Sequence, residues 1–97
     1  MAEKAIRKIV EETIEAFGGE KVRDAVLYHL EHKYNVKPEE MIEKPEQFSN
    51  ALKDIYGSFG SMIEKEICKR ISENYGLEYK GQGIVEIAKE LKRFRQV

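Results

Sequence analysis

The chain has 97 residues and a formal net charge of −1, with 17 Lys and Arg against 18 Asp and Glu. This length suits one domain, here residues 1–97, and is enough to bury one core without disulfides. The near balance of charge argues against a chain dominated by phosphate contacts, which would carry a clear excess of basic residues.

The first two predicted helices form a hairpin. Apolar side chains at helical spacing mark the first helix, namely Ile6, Ile9, Val10, Thr13, Ile14 and Phe17. Gly18 and Gly19 end it, because glycine accepts the left-handed conformation at a helix C-terminus. The second helix runs from about residue 20 to 34 with the stripe Val22, Ala25, Val26, Leu30 and Tyr34, and Asn35 can end it in the same way.

A second hairpin follows a short connecting helix at residues 38–44, which opens with a proline and two acids. The third long helix begins near Pro45, carries Phe48, Ala51, Leu52, Ile55 and Tyr56, and ends at Gly57. The fourth begins near Ser61, where Ser61 and Glu64 have the spacing of a capping box. Its stripe is Ile63, Ile67, Cys68, Ile71 and Tyr75, and Gly76 ends it.

The last predicted helix covers about residues 83–95, with the stripe Ile84, Ile87, Ala88, Leu91 and Phe94. We therefore predict an all-α domain in which two helical hairpins form a four-helix bundle over about residues 3–79, because two apolar inner faces must cover each other. The C-terminal fifth long helix either caps that bundle or docks onto a second copy of the chain.

The two hairpins resemble each other in sequence. Val22, Val26, Leu30 and Tyr34 recur in the same spacing as Ile63, Ile67, Ile71 and Tyr75. A duplication would explain the match, but amphipathic hairpins also converge on this spacing because burial demands it. Both explanations remain open.

Localisation follows from the single cysteine and the lack of a targeting segment. Cys68 can form no disulfide within the chain, which suits a reducing compartment. No apolar run approaches the ~20 residues needed to span a bilayer, and the N-terminal residues are not followed by a hydrophobic targeting core. We expect a cytoplasmic protein with no membrane partner.

Metal and anion sites have weak support. His29 and His32 lie three residues apart and could supply two ligands, but a transition-metal site needs more, so a histidine at the core edge is the favoured interpretation of His29. The loop at residues 57–61 contains two glycines but lacks a P-loop ending. We expect it to be a capped turn with Phe59 folded onto the core, and we expect no cofactor and no metal.

Catalysis also has little support. The sequence contains no nucleophile elbow, metalloprotease helix or Walker-type loop. Cys68 falls on an apolar stripe, where a cysteine behaves as a small hydrophobe. We expect no catalytic residues and no enzymatic activity.

Basic residues cluster in the last helix at Lys89, Lys92, Arg93 and Arg95. They could contact an anionic partner, which makes a nucleic-acid-binding helical module the alternative function. The favoured explanation is that they complement the negative end of a terminal helix dipole.

One set of residues spans about residues 12–79 and comprises Phe17-Gly18, the run at 25–31, Lys33-Tyr34, Pro45, Phe48, Ala51-Leu52, Ile55-Tyr56-Gly57 and Ile63-Glu64-Lys65. This set resembles a small, functionally uncharacterised archaeal helical domain that is sometimes attached to archaeal signalling proteins as an output domain. The resemblance transfers no catalytic or binding residue. It implies an archaeal source and an interaction or signalling-accessory role.

We therefore expect a non-enzymatic protein-interaction module that pairs as a homodimer, since symmetric dimers are the commonest soluble oligomers. A fifth helix that can leave the bundle would offer a means of pairing. The aromatic residues predicted at the interface are Tyr28, Tyr79 and Phe94.

Overall fold

The computed structural model describes residues 2–96, and the side chains of residues 3–93. Throughout residues 2–96 the regular structure is helical, with no strand. It comprises the helices α1 (Ala2–His32), α2 (Pro45–Tyr56), α3 (Gly60–Tyr75) and α4 (Ile84–Gln96), with 3-10 turns at Pro38–Glu40 and Gly57–Phe59. The all-α prediction is confirmed. Over the same residues no helix combines the length and the apolar character needed to cross a membrane.

Helix α1 is broken in its middle at Gly19, whose φ of 87° and ψ of 179° are not helical. Arg7 and Glu31, on opposite sides of the break, approach to 3.6 Å between Nη1 and Oε1. A straight helix would hold these two residues about 36 Å apart. The two arms of α1, residues 2–18 and 20–32, therefore fold back along each other at the position where the sequence predicts a break.

Two helix ends adopt the left-handed conformation that the sequence predicts. Asn35 has φ of 54° and Gly76 has φ of 70°. Beyond α1, the Val36 N–H donates to the Leu30 carbonyl at 3.0 Å. A bond of this kind satisfies a carbonyl that has no partner within its own helix. The chain can therefore turn at a left-handed residue while a carbonyl at the helix end keeps a hydrogen-bond partner.

The core receives side chains from every helix and from the turn after residue 40. Most of the predicted apolar stripes are buried, and the residues with at most 1% exposure include Ile6, Val10, Ile14, Leu30, Met41, Ile42, Phe48, Leu52, Ile63, Ile67, Ile71, Ile84 and Ile87. The exceptions among the predicted stripe residues are Phe17 at 41% exposure, Val22 at 38% and the exposed Ala25. The buried residues of α1, α2, α3 and α4 belong to one hydrophobic cluster, so the chain has one core.

Helix α4 packs on α2 and α3 of its own chain. Its apolar side is covered there, since Ile84 and Ile87 are 0% exposed and Leu91 is 7% exposed. Of the two predicted positions for this helix, docking within the same chain is the one that the structure shows. A fifth helix that leaves the bundle to pair would expose this buried surface to water.

The predicted capping box at Ser61 and Glu64 is wrong. Helix α3 begins at Gly60, and its N-cap residue Phe59 makes no side-chain cap bond. Glu64 instead accepts hydrogen bonds from the Ser49 hydroxyl at 2.7 Å and from the Ile84 N–H at 3.1 Å. The carboxylate therefore caps the first turn of α4, where helix N–H groups lack partners, and joins three helices.

Candidate interaction surfaces

The outer side of the second arm of α1 carries exposed apolar and aromatic residues next to the exposed Lys21 and Asp24. Its core side presents Val26 and Leu30, which are buried. The opposite side, named here the α1 stripe, is exposed at Val22, Ala25, Tyr28, His29 and His32. Tyr28 is 61% exposed and Val22 is 38% exposed. Large apolar surface left in water on one helix face is a feature of interaction sites.

Four members of the α1 stripe follow the spacing of a coiled-coil seam. Val22, Ala25, His29 and His32 alternate separations of three and four residues, which is the pattern of the a and d positions that face a partner helix. The core-facing residues of the arm lie on its other side. The second arm thus presents one face to its own core and a second, regularly spaced face to solvent.

The aromatic rings of the α1 stripe contact one another. The Tyr28 and His32 rings lie 4.2 Å apart between centroids at 33°, and the His29 ring meets Tyr28 edge-on at 6.1 Å. The nearby Asp24 is paired with Arg23 at 3.0 Å. The rings of the stripe are therefore already in contact with one another, and the exposed Lys21 and Asp24 lie on the same arm.

A second surface lies between α3 and the segment that leads into α4. It is an open cavity of about 390 Å³ lined by Ser61, Met62, Lys65, Glu66, Lys69 and Tyr79. We call it the α3 groove. Met62 is 52% exposed, and the neighbouring Phe59 is 56% exposed. Partial burial and the nearby Glu66 and Cys68 raise the pKa of Tyr79, burial being the larger cause.

The charges of the α3 groove are unevenly satisfied. The carboxylate of Glu66 is held by Arg70, with Nε and Oε2 3.0 Å apart. Lys65 and Lys69, one helical turn apart on α3, make no ion pair with any residue between 3 and 93. Like charges at this spacing repel each other weakly. The groove therefore combines apolar surface with two cations that lack a counter-charge.

Cys68 lies next to this region but is inaccessible. Its side chain is fully buried. Burial, with a smaller contribution from the charge of Glu64, raises the pKa of the Cys68 thiol to about 12. The thiol stays protonated at neutral pH, whereas nucleophilic attack and metal binding require the thiolate.

The two histidines are both exposed on the α1 stripe, and His29 also lines a small surface cavity with Tyr34 and Ile55, which pack against the core. Among the side chains that the structure describes, no three of the types His, Cys, Asp and Glu come together in a way that could hold a metal ion. Cys68, a residue type that binds transition metals, is buried in the core.

Helix α4 exposes basic residues on its outer side. Lys89, Lys92 and Arg93 are exposed, and no ion pair involves them within the part of the chain whose side chains are described. Arg95 and Phe94 lie outside the described side chains. Three of the four residues proposed for an anionic partner are thus accessible.

The structure separates the predicted interface residues. Tyr28 belongs to the α1 stripe and Tyr79 to the α3 groove. Phe59, expected on the core, is exposed instead because the turn holding it projects its side chain outward. Met62 was not predicted to lie at an interaction surface. The sequence does indicate its exposure, because Met62 lies outside the helical spacing of Ile63 and Ile67.

Comparisons of the chain with protein-family models, with curated proteins and with solved structures find no match. The α1 stripe, the α3 groove and the basic side of α4 are therefore the features of this chain that bear on its function.

Proposed function

We propose that the protein is a non-enzymatic interaction module that works as a homodimer. In this proposal its two hairpins form a four-helix bundle, α4 completes that bundle as a fifth helix, and the outer side of α1 provides the pairing surface. A signalling-accessory role in an archaeal cell is the biological setting that the sequence resemblance implies.

The observation that carries the proposal is the spacing of exposed residues in the α1 stripe. A face with apolar and aromatic residues at a and d positions is self-complementary when two copies meet about a two-fold axis. The small side chain of Ala25, near the middle of the stripe, allows two helices to approach closely. Because each chain has a formal net charge of −1, two copies repel each other only weakly.

Pairing through α1 fits the position of α4 better than the exchange of α4 between copies. Ile84 and Ile87 are already buried within one chain, so exchange would first have to expose them. The α1 stripe requires no rearrangement, because its side chains already face water.

Sedimentation equilibrium tests the proposal. We expect the wild-type protein to be a dimer at micromolar concentration and Ala25→Arg to shift it to monomer, because two guanidinium groups would meet at the seam. Asn50→Arg is the matched control, since Asn50 is exposed on α2 outside the stripe. A monomeric wild type, or a dimer unaffected by Ala25→Arg, would reject the proposal.

Nucleic-acid binding is the second candidate, and the exposed cations of α4 favour it. Each phosphate neutralised releases counter-ions, so three contacts would make binding fall steeply with salt, with a slope of about −0.9 per contact on duplex DNA. A gel shift at low and moderate salt, with Lys89→Glu and Lys92→Glu combined, tests it. Absence of a shift at low salt would remove this candidate.

A further inference from the structure

We propose that the α3 groove binds an acidic amphipathic helix of another protein, on a surface separate from the α1 stripe. The inference goes beyond pairing: a dimer of this chain would carry two such grooves and act as a bivalent adaptor. Apolar contact, charge and shape each support this choice of occupant.

The apolar part of the groove is flexible and already open. Met62 and Phe59 lie three residues apart where α3 begins, and both are more than half exposed. Methionine adapts its shape to different partners because its side chain is unbranched and polarisable. Met62 and Tyr79 both line the groove, and Phe59 lies beside it. An apolar side chain of a partner can enter here without displacing any element of the fold.

The charged part of the groove lacks its counterpart. Arg7 and Arg70 each have a carboxylate within 3.0 Å, but Lys65 and Lys69 have none among the described residues. Because Arg70 neutralises the charge of Glu66, Lys65 and Lys69 give the groove a net positive charge. A partner that brings carboxylates would relieve the repulsion between the two lysines and complete the groove.

The spacing of the lysines favours a helical partner. Residues four apart on a helix lie about 5–6 Å from each other at Cβ. A second helix running alongside α3 would place two Glu residues, also four apart, opposite Lys65 and Lys69. Its adjacent face would carry the apolar residue that contacts Met62. This arrangement is the helix-in-groove mode of peptide recognition.

Fluorescence anisotropy with a synthetic peptide tests the inference. The probe is a labelled peptide of about 14 residues, near the shortest length that supports a helix in water, with Leu on one face and two Glu one turn apart beside it. We expect it to bind the wild-type protein. Combined Lys65→Glu and Lys69→Glu should weaken binding at least tenfold, or about 1.4 kcal/mol, and Met62→Ser should weaken it too.

The matched control is Lys4→Glu with Lys8→Glu, because these lysines are also exposed and one turn apart but lie on α1, away from the groove. Binding should be unchanged there. A peptide with Gln in place of both Glu should bind at least tenfold more weakly. Thermal unfolding of every variant checks that the fold is intact.

Four outcomes would overturn the inference: no binding of the acidic peptide, equal loss in both lysine pairs, equal binding of the Gln peptide, or displacement of the acidic peptide by a single-stranded oligonucleotide at lower concentration. Peptide binding should persist in the Ala25→Arg variant. A failure of the dimer proposal is thereby distinguished from a failure of peptide binding. Ala25→Arg and sedimentation test the dimer, whereas the lysine variants and anisotropy test peptide binding.

Discussion

The two helical hairpins have similar sequences but are held together differently. In the first hairpin, formed by the two arms of α1, Arg7 pairs with Glu31 across the arms and with Glu39 at 2.8 Å on the 3-10 turn. In the second, formed by α2 and α3, the hydrogen bond from Ser49 to Glu64 joins the helices, and the same carboxylate caps α4.

Similar apolar spacing therefore produces two hairpins that are stabilised to different degrees. The side chain of Arg7 is 36% exposed, so water and salt screen its ion pairs. Glu64 is half-buried and both of its oxygens accept hydrogen bonds. The second hairpin also gains the buried face of α4. We expect substitutions to cost more stability there than in the first hairpin.

The largest effect is expected from Ile87→Ala. Ile87 is fully buried where α4 meets the second hairpin, and such truncations cost about 2–5 kcal/mol. Urea denaturation followed by circular dichroism measures the loss. Val85→Ala, at a half-buried position on the same helix, should cost less. A loss below about 1 kcal/mol for Ile87→Ala would mean that α4 is not part of the cooperative core.

A smaller effect is expected from Glu64→Gln. The substitution keeps the shape but removes the negative charge. The amide can donate to the Ser49 hydroxyl and accept from the Ile84 N–H, so both hydrogen bonds become neutral ones, at a cost of about 1–2 kcal/mol. Glu66→Gln is the control, because within residues 3–93 the ion pair of Glu66 is with Arg70 at the surface. Equal losses in the two variants would show that Glu64 does not secure the second hairpin.

The smallest effect is expected from Arg7→Gln, which removes the ion pairs of the first hairpin. Partly exposed pairs contribute about 0–1 kcal/mol each, so we expect the free energy of unfolding to fall by about 1 kcal/mol or less, and by less still in high salt. Chemical denaturation at two salt concentrations measures this. A loss equal to that of Glu64→Gln would contradict the comparison between the hairpins.

Much of the fold could be predicted from particular residues. Gly19, Asn35 and Gly76 mark real breaks because few other residues adopt their backbone conformations at low cost. The periodic apolar residues of α3, such as Ile63 and Ile67, are buried as predicted. These signals are local, since each depends on a residue and its neighbours within one or two helical turns.

The candidate surfaces were less predictable. Tyr28 and Tyr79 were identified as aromatic residues at a surface, but nothing in their spacing places them on different sides of the chain. No sequence pattern distinguishes Lys65 and Lys69 from the other charged residues of α3. The groove exists only because the segment before α4 brings Tyr79 alongside them, a contact between residues far apart in sequence.

The sequence by itself determined where this chain is helical, where it breaks and which face of each helix is apolar, because these properties follow from backbone preferences and from the helical period. Tertiary structure decided which helix covers each of those faces. In the folded chain, Glu64 caps α4 and not its own helix. Phe59 and Met62 are exposed, and the apolar face of α4 is buried against its own chain. Such outcomes depend on how distant segments share space and satisfy each other's polar groups, and no local pattern encodes them.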